Sequence, residues 1–226
     1  MNTSFVEMAP GIENSQQERE YILACFGCFN PPTNGHLSAI MAAADRLRGE
    51  GKRVERAVMI PVHSKYAKAG LLPSEIRIEM CRMMVSGIPF IEVDDAEAKK
   101  ETWSRTIDTL DYLQGKYPGR TILIVCGIDV VASYERSWRQ QDIIRIATEF
   151  GLVVFGRDGV EIDDITRFCS WLTGRTQNIC VVENGTDFSA ICSTKVRNAI
   201  RAHEPLCGMV SDSVMNFITE RGLYSD

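Results

Sequence analysis

The chain has 226 residues, 45% hydrophobic and 24% charged, with 25 Lys and Arg against 30 Asp and Glu for a net charge of −5. A globular chain of this size buries about 70% of its extended surface and needs neither disulfides nor a structural metal to hold a core. No apolar run approaches the roughly 18 residues of a membrane span, and the acidic balance argues against a dedicated nucleic-acid binder.

Residues 1–19 are polar, with Pro10-Gly11 in the middle and no sustained period, and are expected to form a mobile extension. They lack the basic start, apolar centre and small-residue cleavage site of a secretory signal. Eight cysteines are scattered, most of them inside apolar runs, as free thiols of a reducing compartment are. One domain is expected over residues 20–226. Its short apolar runs fall at residues 21–26 (YILACF), 54–60 (VERAVMI), 90–93 (FIEV), 121–126 (TILIVC), 152–155 (LVVF) and 179–182 (ICVV). Rich in Val and Ile and mostly without alternation, they read as strands covered on both faces.

Amphipathic stretches lie between the runs. Leu37, Ile40, Met41, Ala44 and Leu47 form one helical stripe, and Ile76, Met80, Met83 and Met84 a second. Thr106, Leu110 and Leu113 follow, then Ile143, Ile144 and Ala147, and then Ile165, Phe168 and Leu172. Val196, Ala199 and Ile200, and finally Val214, Phe217 and Ile218, complete the set. The alternation predicts an α/β, Rossmann-like fold: a mostly parallel sheet with right-handed crossovers and helices on both faces. Ligands bind beyond the carboxyl ends of such strands, so the loops after the runs carry the chemistry.

The first run leads through GCFNPPTNGH into the first helix. Gly27 lets the backbone pass close to a ligand, Pro31 and Pro32 stiffen the turn, and Thr33 or Asn34 can cap the helix. Gly35 and His36 then fall in its first turn, where unpaired N–H groups and the positive dipole end attract an anion. The alternative is a tight turn whose histidine merely packs. Cys25-Phe26-Gly27-Cys28 is also a C-x-x-C, which could serve redox or zinc chemistry. No second pair sits at zinc spacing, and two core-type thiols are the favoured reading.

Near the other end, ICSTKVR opens a helix whose buried side carries Val196 and Ile200. Ser193 or Thr194 can cap it, which puts Lys195 in the first turn with Arg197 close behind. A cation there is unfavourable unless an anion is held too. Backbone N–H groups, two hydroxyls and two cations would suit a polyphosphate; a capped surface helix with ordinary basic residues is the alternative.

The first loop, G-x-F-x-P-x-T-x-G-H, resembles at every defining position the nucleotide-binding motif of the nucleotidyltransferases with a (His/Thr)-x-Gly-His signature. ICSTKVR resembles their I-S-x-T-x-(I/V)-R. PVHSKYAKAGL, EVDDAEAKKETWSRTIDTL, CGIDVVASYERSW and the closing GLYS follow in order. Together they are similar to the eukaryotic type of nicotinamide/nicotinic acid mononucleotide adenylyltransferase, over about residues 21–225.

The resemblance implies adenylyl transfer from ATP to a pyridine mononucleotide, giving NAD or its acid precursor and pyrophosphate. It implies ATP and phosphate contacts from Gly27, Phe29, His36, Lys68, Ser193, Thr194, Lys195 and Arg197, with His36, Lys195 and Arg197 as the catalytic residues. Cys28, Trp103, Thr106, Gly127, Asp129, Trp138 and Arg157 would hold the mononucleotide, with Trp138 stacked on the pyridine ring. Mg²⁺ would be bound mainly through substrate phosphates and water. The partners expected are these small molecules, without nucleic acid or membrane, and a homo-oligomer is compatible. The chain lacks the long basic insertion of nuclear members, and cytoplasm is the default.

Three positions depart from the family pattern. Cys28 and Cys192 stand where serines are usual, and Ala96 stands where animal members have a tryptophan, removing one wall of the pyridine pocket. The mononucleotide phosphate is already a nucleophile at pH 7, so no general base is required; positioning and charge stabilisation suffice. Other readings are a nucleotidyltransferase acting on phosphopantetheine or a phosphoalcohol, a non-catalytic nucleotide-binding module, and a thiol–disulfide oxidoreductase.

Overall fold

A computed structural model describes residues 19–66, 68–156, 162–182 and 191–225. The expected mobile extension thus falls, but for Arg19, outside the described residues.

All six apolar runs are strands: β1 (Glu20–Gly27), β2 (Arg53–Pro61), β3 (Ile91–Val93), β4 (Thr121–Gly127), β5 (Gly151–Phe155) and β6 (Ile179–Val182). They pair in the order β3-β2-β1-β4-β5-β6, and every pairing is parallel. This is the doubly wound order, in which the chain steps outward from β1 on one side and then returns to continue on the other. β1 and β4 lie side by side, with Leu23 opposite Leu123. The connections leaving their carboxyl ends run to different places, and a crevice opens between them.

The helices follow the apolar stripes. On one face of the sheet lie α1 (Asn34–Gly49), α2 (Ser74–Val85), α7 (Ser193–Arg201) and α8 (Asp212–Glu220). They bury Ile40, Ala43, Ala44, Leu47, Met80, Met84, Val196, Val214 and Phe217 against Leu23, Met59, Val125 and Val153. On the other lie α3 (Thr106–Lys116), α4 (Ile128–Ser137), α5 (Gln140–Glu149) and α6 (Ile162–Phe168). Leu110, Val131, Tyr134, Ile143, Ile146 and Ile165 pack there on Ile22, Val58, Ile124 and Leu152. Successive strand residues point to opposite faces, and both faces are covered, so an uninterrupted apolar run serves two cores.

The structure corrects the helical reading in three places. The stripe through Ile165, Phe168 and Leu172 is not one helix: α6 ends at Phe168, Cys169 is extended (φ −147°, ψ 103°), and residues 170–172 form a separate 3-10 turn. Phe168 is left 43% exposed. The buried face of α2 runs through Arg77, Met80, Cys81 and Met84, with Ile76 and Met83 only half-buried. Finally, residues 128–137, read from sequence as a motif, form α4.

Candidate active site

The loop between β1 and α1 is organised by Thr33 and His36. Thr33 is the N-cap of α1 (φ −131°, ψ 160°), and its backbone N–H donates to His36 Nδ1 at 3.0 Å. With Nδ1 accepting, the neutral ring carries its proton on Nε2. Burial, joined by the positive charge of Lys68, pushes the His36 pKa down to about 4, so the ring is neutral near pH 7. The Thr33 hydroxyl lies 2.8 Å from the same Nδ1 and donates to the Ile191 carbonyl at 3.0 Å.

Gly27 is dictated by Phe29, which is in the left-handed region (φ 44°) with its ring folded back beneath the end of β1. A Cβ on Gly27 would stand 2.9 Å from that ring. The ring is 1% exposed and meets the His36 imidazole edge-on at 5.1 Å between centroids. Phe29 thus supports the site from below and is not among the residues lining the cavity beside it, whereas Gly27, Cys28, Gly35 and His36 are.

The second loop docks on the first. Cys192, not Ser193 or Thr194, is the N-cap of α7. Ser193 is freed from that role because its hydroxyl donates to the Pro31 carbonyl at 2.8 Å. Arg197 donates to the Asn30 carbonyl at 2.8 Å and to the Thr194 hydroxyl at 3.2 Å. With the bond from Thr33 to Ile191, three contacts fix the N-terminus of α7 beside that of α1. The two helix ends thus lie side by side, with Gly35 and His36 of α1 and the Cys192 cap of α7 lining the same crevice, and Lys195 is the third residue of α7.

Sequence reasoning missed Arg77. It is fully buried, and its three nitrogens donate to the carbonyls of Leu72, Cys28 and Val62, each at 2.8 Å. No carboxylate pairs with it among the described residues. One guanidinium thereby joins the loop after β1, the loop after β2 and the approach to α2. Asn30 does similar work: its side chain donates to the Gly70 carbonyl and accepts from Leu72 N–H and the Tyr224 hydroxyl. The available signal for Arg77 was its spacing, three, four and seven residues before Met80, Cys81 and Met84, which puts a charge on an apolar helical face.

Beyond β4, Gly127 is the N-cap of α4. A Cβ there would run into the Asp129 carboxylate, which folds back over the strand end. α4 ends at Trp138, whose ring packs edge-on against buried Tyr134 at 5.0 Å. The Tyr134 hydroxyl has the Cys126 thiol beside it and, among the described residues, no oxygen or nitrogen partner.

These elements enclose two adjoining chambers. The first, about 470 Å³, is lined by Gly27, Cys28, His36, Gly127, Asp129 and Trp138, with Ile191 and Cys192 opposite. The second, about 440 Å³, is lined by Trp103, Thr106, Glu97, Arg105 and Arg139. Phe26, Val62, Tyr66, Thr106 and Trp138 line both, so the chambers meet at Trp138. Trp103, 53% exposed, stands at the second, while Ala96 lines neither. Glu97 is buried there, accepting from the Thr109 hydroxyl at 2.8 Å, and burial raises its carboxyl pKa.

Of the residues expected at the site, seven therefore share the first chamber or its junction with the second: Gly27, Cys28, His36, Thr106, Gly127, Asp129 and Trp138. Trp103 lines the second. Ser193, Thr194, Lys195 and Arg197 follow directly on Cys192 but line neither chamber, and Lys68 is exposed, with only its charge felt at His36. Arg157 lies outside the described residues.

Residues 24–199 match the family described as cytidylyltransferase-like. A nicotinamide/nicotinic acid mononucleotide adenylyltransferase 2 of Caenorhabditis elegans is 33% identical, aligned over 89% of this chain and 96% of its own length. The corresponding adenylyltransferase of Arabidopsis thaliana is 28% identical over 94% and 93%. A solved structure of Plasmodium falciparum nicotinic acid mononucleotide adenylyltransferase, complexed with NaAD, shares the fold. Its TM-score is 0.69 at 15% identity, covering 91% of this chain and 98% of that one. With its motif loops at the carboxyl edge of the sheet and similarity running nearly end to end, this chain belongs to the cytidylyltransferase-like family and, within it, to the nicotinamide/nicotinic acid mononucleotide adenylyltransferases.

Proposed function

We infer that the protein transfers the adenylyl group of ATP to a pyridine mononucleotide, releasing pyrophosphate and forming NAD or its acid counterpart. The observation that carries this is the docking of the Ile191–Cys192 loop on Thr33, Pro31 and Asn30. It joins the starts of α1 and α7 beside a crevice lined by His36, Cys192 and Trp138, which supports the reading.

The mononucleotide phosphate would attack the α-phosphorus of ATP in line, and pyrophosphate would leave. His36 would donate from Nε2 to a phosphate oxygen, and the N–H groups of α1 and α7 would hold the triphosphate with Lys195 and Arg197. Trp138 offers a flat face to the pyridine ring, and Asp129 suits a ribose hydroxyl. The donors around the first chamber, imidazole N–H and helix-terminal N–H, are those of an anion site. Among the described residues, no group of three or more carboxylate, thiol or imidazole ligands converges on a cation position. A Mg²⁺ carried by phosphate oxygens and water would neutralise charge on the leaving group.

We propose that both amide and acid mononucleotides are accepted, since Trp138 stacks on either ring. We also propose a cytoplasmic location; no described helix is long and apolar enough to cross a membrane. The test is an acceptor panel: ATP, Mg²⁺ and, in turn, nicotinamide mononucleotide, nicotinic acid mononucleotide and phosphopantetheine, with pyrophosphate release as readout. Release with the pyridine mononucleotides is expected. Release only with phosphopantetheine, or ATP binding without release, would overturn the reading.

A further inference from the structure

Four of the eight cysteines, Cys25, Cys28, Cys126 and Cys192, line the first chamber. Cys25 is buried, whereas Cys28, Cys126 and Cys192 are half-buried. Burial pushes the Cys25 and Cys126 thiols up to about 12, so both stay protonated. Cys28 and Cys192 come one from each of the two docked loops. Cys28 lies within electrostatic reach of the Arg77 guanidinium, which also holds its carbonyl. Cys192 is the N-cap of α7, where the helix dipole is positive and Lys195 follows three residues on. Partly exposed thiols in electropositive surroundings are the ones that react, whereas buried ones are inert. Adenylyl transfer uses neither sulfur as a nucleophile.

We propose that Cys28 and Cys192 form a thiol modification site, at which an acidic low-molecular-weight disulfide of the glutathione type reversibly closes the nucleotide cleft. A cysteine sulfur of the protein attacks one sulfur of the disulfide. A protein–glutathione S–S bond forms, the original S–S bond breaks, and the second glutathione leaves as thiolate and takes up the proton released by the cysteine. The cysteine is oxidised and half of the reagent is reduced, so the exchange balances without a further electron acceptor. The adduct places its carboxylates on the ground that the two helix termini offer to phosphate, and its bulk occupies a chamber of about 470 Å³. A dithiol reverses the reaction.

The test treats the full chain with glutathione disulfide, with and without ATP and Mg²⁺, and measures occupancy of each cysteine by mass spectrometry. Cys28 and Cys192 are expected to react at least about tenfold faster than Cys25 and Cys126, with ATP slowing them about tenfold; exposed Cys207, which lines neither chamber, should react without ATP protection. Treatment should abolish ATP binding, measured by calorimetry, and dithiothreitol should restore it. Only the protection and binding arms rest on the nucleotide reading. Untreated protein that fails to bind ATP sinks that reading, while the ranking of cysteines still tests this one. Reaction at Cys207 alone, or full occupancy of Cys28 and Cys192 with ATP affinity unchanged, overturns the proposal. A Cys28→Ser, Cys192→Ser double variant should lose all modification inside the cleft; if it does not fold, the ranking on the natural chain decides.

Discussion

Replacing Arg77 by methionine tests whether a single buried cation holds the site together. The stem volume is kept and the guanidinium removed, leaving the carbonyls of Cys28, Val62 and Leu72 without their donor. A hydrogen bond to a charged group contributes about 1.5–3 kcal/mol, so three would sum to about 4.5–9 kcal/mol if additive. Against this, the variant no longer buries a cation, whose desolvation costs several kcal/mol. That penalty is visible in the arginine itself, whose pKa burial lowers. The net expectation is a loss of about 2–4 kcal/mol, because the carbonyls are left unpaired rather than replaced by apolar groups. Urea unfolding should show the midpoint falling at constant m. Since Cys28 and Val62 line the first chamber, KM for ATP should rise in the same variant under conditions where it is fully folded. Arg77→Lys should fall between, since one ammonium cannot reproduce the planar fork. A variant within about 1 kcal/mol of wild type, or one destabilised with both substrates' KM unchanged, would refute the reasoning.

His36 has a folded pKa of about 4 against 6.5 when free, so its stabilising contribution is complete above pH 6.5 and is lost as pH falls from there toward 4. The ceiling is about 3 kcal/mol, reduced because the ring borders a cavity. His36→Asn should flatten the dependence of urea-unfolding stability on pH across that window and cut kcat by orders of magnitude. Arg197→Ala should lower kcat/KM for ATP about ten- to a hundredfold. Arg197→Lys should recover only part of this, because charge returns but the fork that holds the Asn30 carbonyl does not. Trp138→Ala should lower kcat/KM for the amide and acid mononucleotides alike, by about five- to a hundredfold for lost stacking. A large preference in wild type that the substitution abolishes would show instead that the ring orients a discriminating contact.

All six strands were legible because parallel strands covered on both faces leave uninterrupted Val- and Ile-rich runs. Both loops were legible because the residues proposed to cradle an anion are contiguous in sequence: Thr33 to His36, and Cys192 to Arg197. What stayed hidden depends on contacts across the fold. Ser193 reads as a helix cap from its neighbours alone, and only the presence of the Pro31 carbonyl redirects its hydroxyl. Phe29 sits in the middle of the loop motif, yet a left-handed backbone turns its ring into the core. Arg77 gave no sign of its role because an arginine buried without a carboxylate is rare; its three acceptors come from the loops after β1 and β2 and the approach to its own helix. Phe168 continues a helical period, but the break at Cys169 removes the turn that would have buried it.

The three bonds that join the two loops span 158, 162 and 167 residues of sequence. Loop closure over such distances brings its reward only after the intervening sheet has formed. A partly assembled chain, with β1 and α1 in place, would therefore hold half an anion site and gain little from nucleotide. Because ATP selects the completed form alone, its presence at a hundred times its dissociation constant would add about 2.7 kcal/mol to that form. Substrate supply would then help to set how much of the protein survives quality control, as well as how fast it turns over.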